Sequence, residues 1–192
     1  MRLFGPLYDR VLGWSAHPKA KWYLGGLSFA ESSFFPIPPD VMLAPMTLAK
    51  PKLWWRLALL TTLMSVLGGL LGYLIGWLAI DWIEPHIRKW GYGESFDIAQ
   101  NWFAVWGFAA VLIAGFSPIP YKVFTIAAGA LSMNPLLFVL ASFFGRGGRF
   151  FLVAGLIGLA GPTLEPVLRR YVEWLGWLTV VALVVVIWLV KF

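Results

Sequence analysis

Residues Leu57–Ile80 run for 24 positions without a charged side chain, and Trp174–Val190 for 17. About 20 apolar residues of α-helix cross the roughly 30 Å hydrocarbon layer of a bilayer. Backbone in that layer has no water to bond, so only helices and closed barrels cross it. Runs of this length point to membrane-spanning helices. Composition agrees: 60% of the 192 residues are hydrophobic and 12% are charged, about half the charge of an ordinary soluble domain.

The same composition excludes several functions. There are no cysteines, so disulfide and thiolate chemistry are out. His17 and His86 lie far apart with no ligand-like spacing, so no metal site is expected. No cofactor is implied, and no nucleophile–base pair stands out in the apolar region, so an enzyme is not expected. The first 25 residues lack the apolar core of a signal peptide. A net charge of +6 could suggest nucleic acid, but the basic residues cluster where cytoplasmic loops would fall, as the positive-inside rule requires. No nucleic-acid partner is therefore expected. Trp14, Trp22, Trp54, Trp55, Trp82 and Trp90 stand near charged clusters, which suits anchoring at headgroup level.

Two apolar stretches are cut by similar motifs. Pro36-Ile37-Pro38-Pro39-Asp40-Val41 recurs 82 positions later as Pro118-Ile119-Pro120-Tyr121-Lys122-Val123, and Ile75-Gly76 recurs as Ile157-Gly158 at the same offset. Proline removes a backbone donor and clashes in a helix interior, so Pro36, Pro38, Pro39, Pro118 and Pro120 mark helix breaks. Between Lys21 and Lys50 the break leaves halves of about 14 residues, or roughly 21 Å of helix, too short to cross. Basic residues stand at both mouths (Lys19 and Lys21; Lys50, Lys52 and Arg56), so both ends favour one side of the membrane. A re-entrant hairpin meets both conditions; one bent crossing helix is the alternative. Repeated broken helices with charges at membrane depth are the pattern of a transport site at a repeat interface.

The resulting expectation is an all-α polytopic membrane protein. It has two inverted repeats, each a Pro-broken re-entrant helical hairpin plus a transmembrane helix, and an additional C-terminal transmembrane helix. Residues 1–18 read as an interfacial amphipathic helix. Residues 19–192 read as a single membrane domain: repeat one 19–83, connector 84–100, repeat two 101–161 and C-terminal helices 162–192. In repeat one, Gly68, Gly69, Gly72 and Gly76 offer a face for close helix approach. In repeat two, Leu136–Leu159 reads as a crossing helix interrupted at Arg146-Gly147-Gly148-Arg149. Nine of the fifteen Lys and Arg residues then fall on the cytoplasmic side, with the N-terminus.

Five ionisable residues lie in apolar surroundings: Glu31, Asp40, Lys122, Arg146 and Arg149. Each costs roughly 2.5–3.5 kcal/mol at a helix centre if unpaired, on the order of 12–18 kcal/mol together. They are expected to face one another, water or a charged ligand. Their formal sum is +1, which suits an anionic group such as a lipid phosphate. Arg146 and Arg149, three apart, share a helix face and could grip a phosphate by forked hydrogen bonds; the alternative is that they tie the helix to Glu31 and Asp40. Burial favours a neutral carboxyl, so proton coupling through Glu31 and Asp40 is one expectation and permanent ion pairing the other. Ser32, Ser33, Ser117 and Thr125 read as helix-end or packing residues.

The run Glu31–Asp40 (ESSFFPIPPD) resembles the acidic first-hairpin motif of the DedA family of SNARE-associated, or VTT-domain, membrane proteins. The run Gly115–Gly129 (GFSPIPYKVFTIAAG) resembles the second-hairpin motif, in wording nearest the YqaA-like branch. The resemblance covers roughly residues 20–160. It implies a bacterial inner-membrane protein that moves phospholipids or polyprenyl-phosphate carriers between leaflets, often with proton coupling, and it implies Glu31 and Asp40 as functional acids. Many members carry two arginines in the second motif. Here Gly115 stands at the first position, and Lys122 lies one place beyond the second.

The function expected is therefore flippase- or scramblase-like movement of a lipid with an anionic or zwitterionic phosphate headgroup. Lys122, Arg146 and Arg149 would meet the phosphate, and Glu31 and Asp40 would gate it. An ion- or proton-coupled transporter of a small solute, or a non-transporting scaffold for envelope assembly, is the alternative. A homo-oligomer is compatible with all three.

Overall fold

The computed structural model describes residues 17, 19–35, 37–117 and 120–160. The expected C-terminal helices (162–192), the interfacial helix over 1–18 apart from His17, and the break residues Pro36 and Pro118 lie outside them. The described chain forms helices α1 (Ala20–Ser33), α2 (Asp40–Ala49), α3 (Trp54–Lys89), α4 (Gly93–Phe116), α5 (Tyr121–Ala130) and α6 (Pro135–Ala160), with a 3-10 turn at Pro51–Leu53 before α3. The α3, α4 and α6 helices are long and apolar enough to cross a membrane. Leu67, Leu74, Trp77, Leu78, Val105, Trp106, Leu156 and Leu159 point outward from them. Apolar surface on this scale needs lipid or a partner around it, so the chain is a multi-pass membrane protein.

Side-chain register shows how the helices run. Ser28 Oγ donates to the Thr61 carbonyl at 2.7 Å, Ser32 Oγ meets Ser65 Oγ at 2.6 Å, and Ser33 Oγ donates to the Gly68 carbonyl at 2.8 Å. Position rises with position, so α1 and α3 are parallel. The chain must therefore come back between them, and α2 is that return. Accordingly, Ala20 and Leu24 at the start of α1 share a core cluster with Leu43 and Met46 of α2 and with Leu57 and Ala58 of α3.

In the second half, close contacts at glycines show how the helices run. A Cβ at Gly145 would lie 2.5 Å from the Leu112 carbonyl oxygen, and one at Gly148 would lie 3.4 Å from the Phe116 ring. The α4 and α6 helices are thus parallel, and α5 is the return. The two long helices, in contrast, are antiparallel. Trp54 of α3 lies against Gly155 and Gly158 of α6, Thr62 against Gly147, and Gly69 against Phe138. Each return helix also packs on the other half: Leu43 and Met46 of α2 meet Phe150 and Ala154 of α6, and α5 lies along α3. Both breaks fall opposite the middle of a long helix, Ser33 beside Gly68 and Ser117 beside Arg149.

The glycines of α3 serve two neighbours. Gly68 admits α1, since a Cβ there would sit 2.0 Å from the Phe29 oxygen. Gly72 and Gly76 admit α5, where a Cβ at Gly76 would sit 1.9 Å from the Ile126 oxygen. This is the close backbone approach that small residues allow in membranes.

Three expectations change. The α6 helix is continuous through Arg146-Gly147-Gly148-Arg149, with no interruption. The glycine pair makes room for Thr62 on one side and Phe116 on the other, each 3.4 Å from the added Cβ. The first crossing helix runs on to Lys89, so the polar segment after Ile80 is helical up to a turn at Trp90–Tyr92, where Gly91 takes φ +85°. Trp54 packs edge-on to Phe151 and over Gly155 and Gly158, so it locks α3 to α6, whereas Trp22, Trp82 and Trp90 are exposed.

Candidate functional site

The site forms where both breaks meet the middle of α6. Asp40 opens α2 directly after Pro39, where a carboxylate is favoured by the helix dipole. Glu31 is in the last turn of α1. One helical turn of α6 then brings Arg146 to Glu31 and Arg149 to Asp40. Four of the five expected residues therefore pair across the two halves: both acids come from the first and both bases from the second. Their charges cancel.

Arg146 is the more enclosed base, at 2% exposed. Its Nε donates to Ser65 Oγ at 2.6 Å, and its Nη2 donates to Glu31 Oε2, which also accepts from Ser32 Oγ. The guanidinium lies between two rings, 4.9 Å from the centroid of Tyr121 and 4.6 Å from that of Phe150. Ring faces carry partial negative charge and stabilise a cation there. Tyr121 is fully buried and donates its hydroxyl to Ser142. Helices α1, α3, α5 and α6 all contribute to this one side chain.

Arg149 is 21% exposed and Asp40 22%. Arg149 Nη2 donates to Asp40 Oδ2 at 2.6 Å, and Nη1 donates to the Ser117 carbonyl at 2.9 Å. Ser117 ends α4 in extended conformation, so its carbonyl has lost the helical partner, and irregular backbone at depth must find another. Ser32 has a related need, because the residue four positions on is Pro36, which has no N–H. Thr125 of α5 donates to the Ser32 carbonyl at 3.3 Å. Among the described residues, Asp40 Oδ1 is buried without a partner.

Lys122 is placed differently. It is half-buried in the first turn of α5 and forms no ion pair among the described residues. Ser33 and Thr125 bond backbone as expected of packing residues, but Ser32 joins the charge network. Ser65, Tyr121 and Phe150 were not foreseen. Tyr121, an aromatic directly beside a proline break, was the one with a signal in the sequence. Gly115 also gains a reason: a Cβ there would lie 3.2 Å from the Arg146 backbone nitrogen. The backbone of α6 occupies that space, and the base comes from α6 itself.

Crossing helices around a buried, charge-balanced cluster at two helix breaks define a polytopic membrane protein with an intramembrane polar centre. The VTT domain model matches residues 37–159, and the chain belongs to this family, the DedA family. An uncharacterized protein of Haemophilus influenzae is 45% identical over 191 residues, covering 100% of both chains. One of Histophilus somni is 44% identical over 99% of each. One of Methanocaldococcus jannaschii is 27% identical over 121 residues, covering 62% of this chain and 72% of the relative. No solved structure matches the chain.

Proposed function

We propose that this protein moves the phosphate headgroup of a membrane lipid between leaflets while the acyl chains stay in the bilayer. The carrying observation is the charge cluster. Ionised side chains at membrane depth are costly and mark transport paths, and here four of them gather where two helices break halfway along the long helices.

In this reading the two halves are inverted repeats and the breaks are the tips of re-entrant hairpins. The antiparallel α3 and α6, and the return of each short helix, support it. The basic residues favour a bacterial cytoplasmic membrane with the N-terminus inside. A phosphate takes the place of a carboxylate on an arginine, and the displaced acid gates the exchange. A proton on Asp40 would release Arg149, which makes protons the candidate coupling species. Lys122, without an ion pair among the described residues, supplies the net positive charge that an anionic headgroup requires.

The test is reconstitution in vesicles with fluorescent phospholipids and a membrane-impermeant quencher. Expected is faster leaflet exchange than in empty vesicles, altered by an imposed pH gradient and reduced by Arg149→Ala. No acceleration with any phosphate lipid would overturn the reading. Full complementation of a deletion strain by Glu31→Gln with Arg149→Ala would favour a scaffold.

A further inference from the structure

Arg146 and Arg149 look equivalent in the sequence, but their surroundings differ. Arg146 is held by Ser65, Glu31 and two rings from four helices. Arg149 has two partners among the described residues, and one of them, Asp40, is itself partly exposed. A guanidinium has five N–H donors, and Arg149 uses two on the described residues. Among the described residues, Asp40 has one donor, on Oδ2, while Oδ1 has none. If a phosphate oxygen takes Nη2 of Arg149, Asp40 loses that donor as well. A carboxylate at depth with no donor is strongly disfavoured, so a ligand that brings its own donor replaces what it removes.

We infer that Arg149 and Asp40 together read the headgroup, and that they select a phosphate with an N–H or O–H donor close beside it. This rests on the lipid-transport reading and sharpens it. Phosphoethanolamine and phosphoglycerol headgroups meet the requirement: phosphate to Arg149, ammonium or hydroxyl to Asp40. Phosphocholine does not, because its quaternary nitrogen carries three methyl groups and no N–H. Arg146 and Glu31 act as a positioning pair that fixes α6 against α1 and α3.

The test is lipid binding to the purified full-length chain in detergent, followed by native mass spectrometry. Phosphoethanolamine, phosphoglycerol and phosphocholine lipids with identical acyl chains are compared. The first two are expected to bind about tenfold tighter than the third, the factor that a single charge-assisted hydrogen bond supplies. Asp40→Asn should bring that ratio close to one. Arg149→Lys should weaken all three and lower the thermal midpoint less than Arg146→Lys does. Equal binding of the three headgroups by the native chain overturns the inference. So does a ratio unchanged in both Asp40→Asn and Arg149→Lys. Displacement by soluble glycerophosphoethanolamine as effective as by its lipid assigns the site to free solutes and overturns the lipid form. Because binding is read without leaflet exchange, selective binding with no exchange sinks the transport reading alone. Exchange without selectivity sinks this one alone.

Discussion

The two halves of the molecule differ in how their helices are held. In the first, α1 is fixed to α3 by hydroxyls: Ser28, Ser32 and Ser33 each reach a group about 33 positions ahead. In the second, α4 meets α6 at nearly the same spacing through glycines, Gly115, Gly145 and Gly148. The first break carries two acids, and α6 of the second half carries two bases. Charge is thus divided between the halves. Neither half alone balances its own buried charges, so the polar centre is complete only when α6 lies between the two breaks.

The strongest way to break this comparison is to remove one charge. Arg146→Met leaves Glu31 buried without its partner and should cost about 3–5 kcal/mol of stability. Thermal unfolding in detergent reads it. Glu31→Met added to Arg146→Met should recover most of the loss, since well-packed apolar replacements of a buried pair are often neutral. A double variant no better than the single would mean that Arg146 holds the fold through Ser65, Tyr121 and Phe150 and that the division of charge is incidental.

Next in size are the glycine contacts between the halves. Gly76→Val and Gly129→Val would drive a side chain into the backbone, because the added Cβ sits 1.9 Å and 1.8 Å from carbonyl oxygens. Each should cost about 1–3 kcal/mol or more. A Cβ added at Gly26 of α1 would meet nothing within 4 Å among the described residues, so Gly26→Ala should gain up to about 1 kcal/mol from helix propensity alone. Equal losses at all three positions would show that glycine acts through chain flexibility and not through close packing.

Much of this was legible in the sequence. The charge-free run Leu57–Ile80 marked α3, the prolines marked both breaks, and the three-residue spacing put Arg146 and Arg149 on one face. What was hidden depends on neighbours far away in the chain. Gly147-Gly148 reads as an interruption by propensity, but Thr62 and Phe116 fill the space beside it and the helix continues. Ser65 looks like one more small residue in a packing face until Arg146 arrives from 81 positions on. Lys122 shows the limit most clearly. A charge in an apolar run reveals depth, but the rotation of its helix decides what it faces, and that rotation is set here by Gly72, Gly76 and Gly129.

A smaller effect separates the hydroxyl contacts from the glycine ones. Ser33→Ala removes the bond to the Gly68 carbonyl and should cost about 0.6 kcal/mol, the average for side-chain hydrogen bonds between membrane helices. Among the described residues no hydroxyl joins α4 to α6, so the second half offers no equivalent substitution.

The smallest effect is expected at the covalent link between the halves. Arg88 near the end of α3 bonds Glu84 at 2.9 Å and Asp97 of α4 at 2.8 Å, bridging the Trp90–Tyr92 turn. All three side chains are well exposed, so solvent and salt screen the attraction. Arg88→Gln should leave the thermal midpoint unchanged at low and at high ionic strength. The buried cluster at the breaks, tens of residues away along both helices, is what holds the halves together. A loss as large as that of Ser33→Ala, reduced by salt, would mean that this clip sets the relative position of the halves and that the central charges merely follow.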